Sequence, residues 1–95
     1  MNTIADAIHN RQVISFDYHG KHRVVEPHTY GIDQMGHKAL VAYQVGGTAS
    51  ERIPCWRTFH ESEMRALCVL EQKFAGHRPN YRRNDPAFAT IFAQL

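Results

Sequence analysis

Cysteine is scarce in this sequence: two residues, Cys55 and Cys68, stand thirteen positions apart. That spacing suits neither a zinc knuckle nor a redox pair, so both are read as buried thiols in a reducing compartment. Long apolar runs are missing as well, since nothing approaches the roughly 20 residues a membrane helix needs. The opening stretch MNTIADAIHN lacks the basic-then-apolar form of an export signal, which favours a cytoplasmic protein with no membrane partner. There is no glycine-rich phosphate loop. Ser15, Ser50 and Ser62 stand in no nucleophile-elbow context. Cys55 and Cys68 have candidate bases in His60 and His28, but no motif joins them. Asp17, Glu26 and Asp33 do not read as a nuclease metal cluster. The chain is therefore expected to have no catalytic residues and no cofactor. A helix-turn-helix is also absent, so any role in transcription would run through a partner.

What is present describes one small domain. The length of 95 residues fits a single core, and 43% hydrophobic with 21% charged residues is the balance of an ordinary globule, not a disordered tail. The net charge of +2 is too small to imply nucleic-acid binding unless the cations cluster. Seven histidines make that charge sensitive to acid.

Residues 3–11 read as a short helix with Thr3 as N-cap and Ile4, Ala7 and Ile8 as its apolar stripe. From Val13 the period becomes two, with Ile14, Phe16 and Tyr18 on one face. His19-Gly20-Lys21 is a turn. A second strand follows over His22–Glu26, which Pro27 ends because it cannot donate to a ladder. Tyr30–Gly36 is a connection. Lys38–Val45 is a third strand, apolar on nearly both faces and therefore well covered. Gly46–Ser50 is a loop, and Ile53–Phe59 a fourth strand whose Pro54 places its start at an edge or bulge. Met64–Phe74 fits helix or strand. Topology favours a single turn at Glu61–Met64 and then a fifth strand that closes an open edge. After a polar connector, Ala75–Asn84, the pair Asp85-Pro86 reads as a helix start. Phe88, Ile91, Phe92 and Leu95 then fall at i, i+3, i+4 and i+7, a single-face helical stripe that must dock on its own chain or form a dimer interface.

Several short motifs in this order resemble a WYL domain: Ile14-Ser15-Phe16-Asp17-Tyr18, Arg23-Val24-Val25-Glu26-Pro27, Leu40-Val41-Ala42-Tyr43 and Arg57-Thr58-Phe59. The resemblance spans about Ile4 to Phe74. It departs from the family where Lys38-Ala39-Leu40 replaces the Trp-Tyr-Leu run, and where Glu63 stands in place of a second arginine. The likeness implies a stand-alone module of mainly β (α+β) class. It would be a small five-stranded Sm-like, SH3-like barrel with a short N-terminal helix over residues 1–75. Residues 76–95 add the connector and C-terminal helix of the same domain. It also implies a bacterial regulatory module that senses an anionic ligand, either single-stranded nucleic acid or a nucleotide-like signal.

The residues themselves leave alternatives open. By alternation Arg23 shares a face with Val25, and Arg57 with Cys55 and Phe59. An arginine among inward apolar residues must find an anion or stack on a ring, so each either grips a phosphate or carboxylate or forms a salt bridge with Glu26, Glu61 or Glu63. Tyr18, Tyr43 and Trp56 either stack a base or pack in the core, with Trp56 best placed to meet a terminal helix. The candidate ligand-binding set is Arg23, Arg57, Tyr18, Lys38 and His28. The histidines His19, His22 and His28 lack a nearby cysteine and are interrupted by Pro27, so no metal is expected there. Arg78, Arg82 and Arg83 flank Tyr81 on a connector that reads either as a solvated linker or as a backbone-binding run.

Overall fold

The computed structural model describes residues 2–49 and 51–95. A helix, α1 (Thr3–Asn10), is followed by strands β1 (Gln12–Tyr18), β2 (Lys21–Asp33), β3 (Lys38–Gly47) and β4 (Cys55–His60). A single 3₁₀ turn at Glu61–Glu63 leads into β5 (Met64–Lys73), and β6 (Phe88–Gln94) completes the order. The strands form one six-stranded antiparallel sheet in the order β4-β3-β2-β1-β5, with β6 paired to β2. The expected mainly β class with a short first helix is therefore found.

The helix stripe is as expected, with Ile4, Ala7 and Ile8 buried, but its N-cap is Asn2 and not Thr3. The Asn2 side chain accepts from Ala5 N at 3.0 Å. The first hairpin follows from two left-handed residues, His19 at φ 53° and Gly20 at φ 75°, which match the twist of the flanking strands.

β2 is the axis of the sheet, and it does not stop at Pro27. Its first half pairs with β1, ending at Ile14 opposite Val25. Its second half pairs on that edge with β6, beginning at Thr29 opposite Gln94. Pro27 sits in the gap between the two partners, where its missing N–H leaves no ladder bond unmade. The Tyr30–Gly36 stretch is thus mostly strand.

The C-terminal stretch is a strand, not a helix. Asp85 does organise a turn, accepting from Ala87 N through its side chain at 2.9 Å and from Phe88 N through its carbonyl at 3.1 Å. The chain then leaves in extended form, because β2 offers an unfilled edge and ladder hydrogen bonds outweigh the local preference. Two register shifts in the β2–β6 ladder disturb the alternation, so the strand never shows a clean period of two. Phe88 is buried, and Phe92 is half exposed and leans on Tyr30 with ring centroids 5.6 Å apart. The expected helical dimer face, Phe88, Ile91, Phe92 and Leu95, therefore does not exist as one face.

The sheet is also open. β5 pairs with β1 and not with β4, so the fifth strand does not close the sheet into the expected barrel. Being an edge strand, β5 is largely exposed, and Cys68 with it, while Cys55 is half-buried. Neither thiol is the buried core residue expected.

The inner face holds the core. Phe59 meets Phe16 and Tyr18 edge-on, at 4.9 Å in both cases, and such pairs contribute about 0.5–1.5 kcal/mol each beyond their burial. Tyr30 is buried, donates to Glu61 at 2.6 Å, and its hydroxyl pKa is pushed up to about 12, first by burial and then by that carboxylate.

Where β6 crosses β2, Gly31 leaves no room for a side chain. A Cβ there would lie 2.0 Å from the Thr90 carbonyl oxygen and 2.9 Å from Ile91 Cα. Gly31→Ala should therefore separate β6 from β2. Amide hydrogen exchange of residues 88–94 would rise sharply, while β1 amides stay protected; unchanged protection of β6 would show that the ladder shifts to absorb the methyl.

Candidate functional site

Alternation along β1, β2, β3 and β4 brings a small polar cluster into the otherwise apolar inner face. Phe16 stands opposite Arg23, Val25 opposite Gln44, and Gln44 opposite Cys55, with Arg57 two residues further along β4. Arg23 is 3% exposed and Gln44 fully buried. The Arg23 guanidinium donates from Nη1 to Gln44 Oε1 at 3.3 Å. It lies 5.8 Å from the ring centres of both Tyr18 and Phe59, close enough for cation–π attraction. Its Nε–H is buried and meets no acceptor.

None of the carboxylates expected to neutralise Arg23 does so among the described residues. Glu26 is taken by Arg78, which donates from Nε and Nη2 at 2.7 and 2.8 Å. Glu61 accepts from Tyr30, and Glu63 from Tyr18 and His19. Burial, and then the charge of nearby Arg57, lowers the Arg23 pKa from its ordinary value. Among the described residues Arg57 pairs with Glu51 alone, at 3.6 Å, and the Glu51 side of that contact is exposed. The two arginines are therefore electrostatic neighbours on one face, with no carboxylate bridging them among the described residues.

The rest of the expected set is dispersed. Tyr18 belongs to the core: its hydroxyl donates to Glu63 at 3.3 Å and accepts from His60 N at 3.1 Å. Burial raises its pKa. Lys38 opens β3 at the far end of the ladder from Arg23, which faces Gly47. His28 is not a surface residue. It is fully buried on the outer face of β2, beneath the connector, against Trp56, Phe74 and Tyr81. Its Nδ1–H donates to the Glu26 carbonyl at 2.8 Å and its Nε2 accepts from Arg78 N at 3.1 Å, which defines a neutral ring. Burial lowers its pKa.

The connector is consequently a packed element. Trp56 stacks on Tyr81 at 6.2 Å and donates its indole N–H to Pro79 O at 2.9 Å, taking from the connector the contact expected of a terminal helix. Arg78 is a structural cation through its pair with Glu26, on a connector that is otherwise largely exposed. Arg82 lines an open cleft of about 200 Å³ together with Arg57, Trp56 and Tyr81. That cleft joins the second arginine of the inner face to solvent on the connector side.

A scan against protein-family models, a search of curated proteins and a search of solved structures each returned no match. The residues and their geometry therefore carry the functional argument alone.

Gln44 is the site residue that pattern reading missed. Its Nε2 donates to the carbonyls of Gly46 at 3.0 Å and Thr48 at 3.1 Å, while Oε1 serves Arg23. The one signal was a lone amide inside the apolar run of Lys38–Val45. Gly47 presses the same loop against β2, since a Cβ there would lie 2.1 Å from His22 O. Ser50, at the end of that loop, lies outside the described residues. A second cluster, Asp33, His37 and His60, was also invisible, because its members come from two separated strand ends.

Proposed function

We propose that this protein is a non-enzymatic binding module for a small phosphate-bearing anion of the nucleotide type, held between Arg23 and Arg57. The observation that carries the reading is the buried Arg23 guanidinium, whose Nε–H has no acceptor and whose charge has no carboxylate partner among the described residues. A buried cation without a partner destabilises a fold, and a ligand anion relieves that cost. Arg57, with a side chain 21% exposed, is the cation a ligand meets first. Tyr18 and Phe59, whose ring centres lie 5.8 Å from the Arg23 guanidinium, supply the apolar wall on the same face. The reading agrees with what the WYL likeness implies, a regulatory module of the bacterial cytosol. The buried position of Arg23 favours a mononucleotide-sized ligand over a long strand.

Arg23→Met tests this directly. Without ligand the variant should be as stable as the parent or more stable by about 1 kcal/mol, because an unpaired buried charge is replaced by an apolar chain of similar volume. Binding of a nucleoside monophosphate, measured by calorimetry, should weaken at least tenfold, and a short oligothymidylate serves as the single-strand comparison. Unchanged affinity in Arg23→Met, or a variant that is strongly destabilised without ligand, would assign Arg23 to structure alone.

A further inference from the structure

We propose that Asp33, His37 and His60 form a surface binding site for a divalent transition-metal ion, zinc first among them. The three residues come from the end of β2, the turn that follows it, and the end of β4. Their ligand atoms all lie within 4.8 Å of one another. Asp33 Oδ2 is 3.7 Å from His37 Nδ1 and 3.8 Å from His60 Nε2. Zinc bonds of about 2.0–2.1 Å in tetrahedral geometry place neighbouring ligand atoms about 3.4 Å apart. The two short separations are thus within half an ångström of the bound arrangement, and rotation of the imidazoles supplies the remainder. The two rings already lie with centroids 4.8 Å apart at an interplanar angle of 34°.

The surroundings hold these donors as metal sites hold theirs. Asp33 Oδ1 accepts from the backbone N–H groups of Met35 and His37, both at 2.9 Å, which leaves Oδ2 free to face the two imidazoles. The other His60 nitrogen, Nδ1, lies 3.6 Å from Glu63 Oε2, so a small ring rotation on metal binding would give it the carboxylate partner that orients a zinc-bound ring. The backbone is equally fixed: Asp33 N donates to His37 O at 2.9 Å, and Ala39 stands opposite His60 in the β3–β4 ladder. Two imidazoles and one carboxylate suit zinc better than magnesium or calcium, which prefer oxygen alone. Three protein donors leave a fourth position for water or an exogenous ligand, and His37 borders an open cleft shared with Lys38, Glu61 and Ser62.

The test is titration of the untagged protein with zinc in the presence of a competing chelator, together with cobalt spectroscopy. The expected result is one ion per chain, a rise in melting temperature with zinc, and cobalt bands of a four- or five-coordinate nitrogen–oxygen site. His60→Gln and Asp33→Asn should each weaken binding at least tenfold, while His19→Ala with His22→Ala should not. Since Asp33 also shapes its turn, the zinc-induced shifts of the His37 and His60 ring nitrogens in the parent protein provide an independent readout. Binding that survives both ligand variants, that is lost in the His19/His22 variant, or that moves other rings instead would overturn the site.

Discussion

Arg78→Ala should cost this protein about 2–4 kcal/mol of stability. The loss is close to that of breaking a buried ion pair, reduced because the arginine side of the pair is partly solvated. Glu26 is the reason: its side chain is 4% exposed and both its oxygens are occupied by one guanidinium. Removing Arg78 leaves the carboxylate under the connector with no cation, and Arg78 also lies over the Tyr43 ring at 5.3 Å. The double variant Glu26→Leu, Arg78→Leu should recover most of the loss, because two apolar chains of similar volume need no partner. Urea unfolding of both single variants and the double one gives the coupling directly. Trp56 is the sole tryptophan and donates to Pro79 in the connector, so its fluorescence reports whether the connector has lifted. A single variant within half a kcal/mol of the parent would show that water reaches Glu26 freely.

His28→Ala should be of similar size, about 2–4 kcal/mol at pH 7.5. It opens a cavity against Trp56, Phe74 and Tyr81 and leaves the Glu26 carbonyl and the Arg78 N–H without a partner. The gap between variant and parent should shrink as the solution is acidified. Burial, with smaller contributions from His77 and Arg78, keeps the folded pKa of His28 below its ordinary value, against opposing effects of Glu26. An unfolded histidine titrates near about 6.5. Below that pH the unfolded chain takes up a proton at His28 that the folded chain refuses, so the stability associated with the neutral ring is present above about 6.5 and lost as pH falls toward the folded value. Urea midpoints at pH 7.5 and pH 5 measure the change. A gap that is equal at both pH values would mean that the folded ring protonates as readily as the unfolded one.

The inner face was legible because alternation is local and strong: Ile14, Phe16, Tyr18, Arg23, Val25, Arg57 and Phe59 all take the side that a period of two assigns them. The partners of those residues were not legible. Glu26 lies on the other face of β2 from Arg23 and is claimed by Arg78 of the returning connector, while Glu63 is claimed by Tyr18 and His19, pairings that only the tertiary fold creates. The β2 edge that β1 vacates at Val25 decided residues 88–94. Phe88, Ile91 and Phe92 satisfy a helical stripe, yet the unpaired edge of β2, separated from them in the chain by β3, β4, β5 and the connector, outweighed it. His28 misled for a related reason: it sits next to Pro27 in a histidine-rich stretch that looks exposed, and only the returning connector buries it. Asp33, His37 and His60 meet because β2, its turn and β4 end at the same rim of the sheet, a property of topology that spacing does not encode.

The shared edge of β2 also bears on how the chain acquires its shape during synthesis. β1 is made before β2, and fills the first half of that edge as soon as the hairpin can form. The second half, residues 29–33, waits for β6, which is separated from it by the whole of β3, β4, β5 and the connector. A nascent chain that has reached Lys73 therefore carries an unfilled strand edge beside Tyr30, open to pairing with any extended segment it meets. Of the six strands, the one synthesised last is the one that seals the strand on which the whole sheet turns.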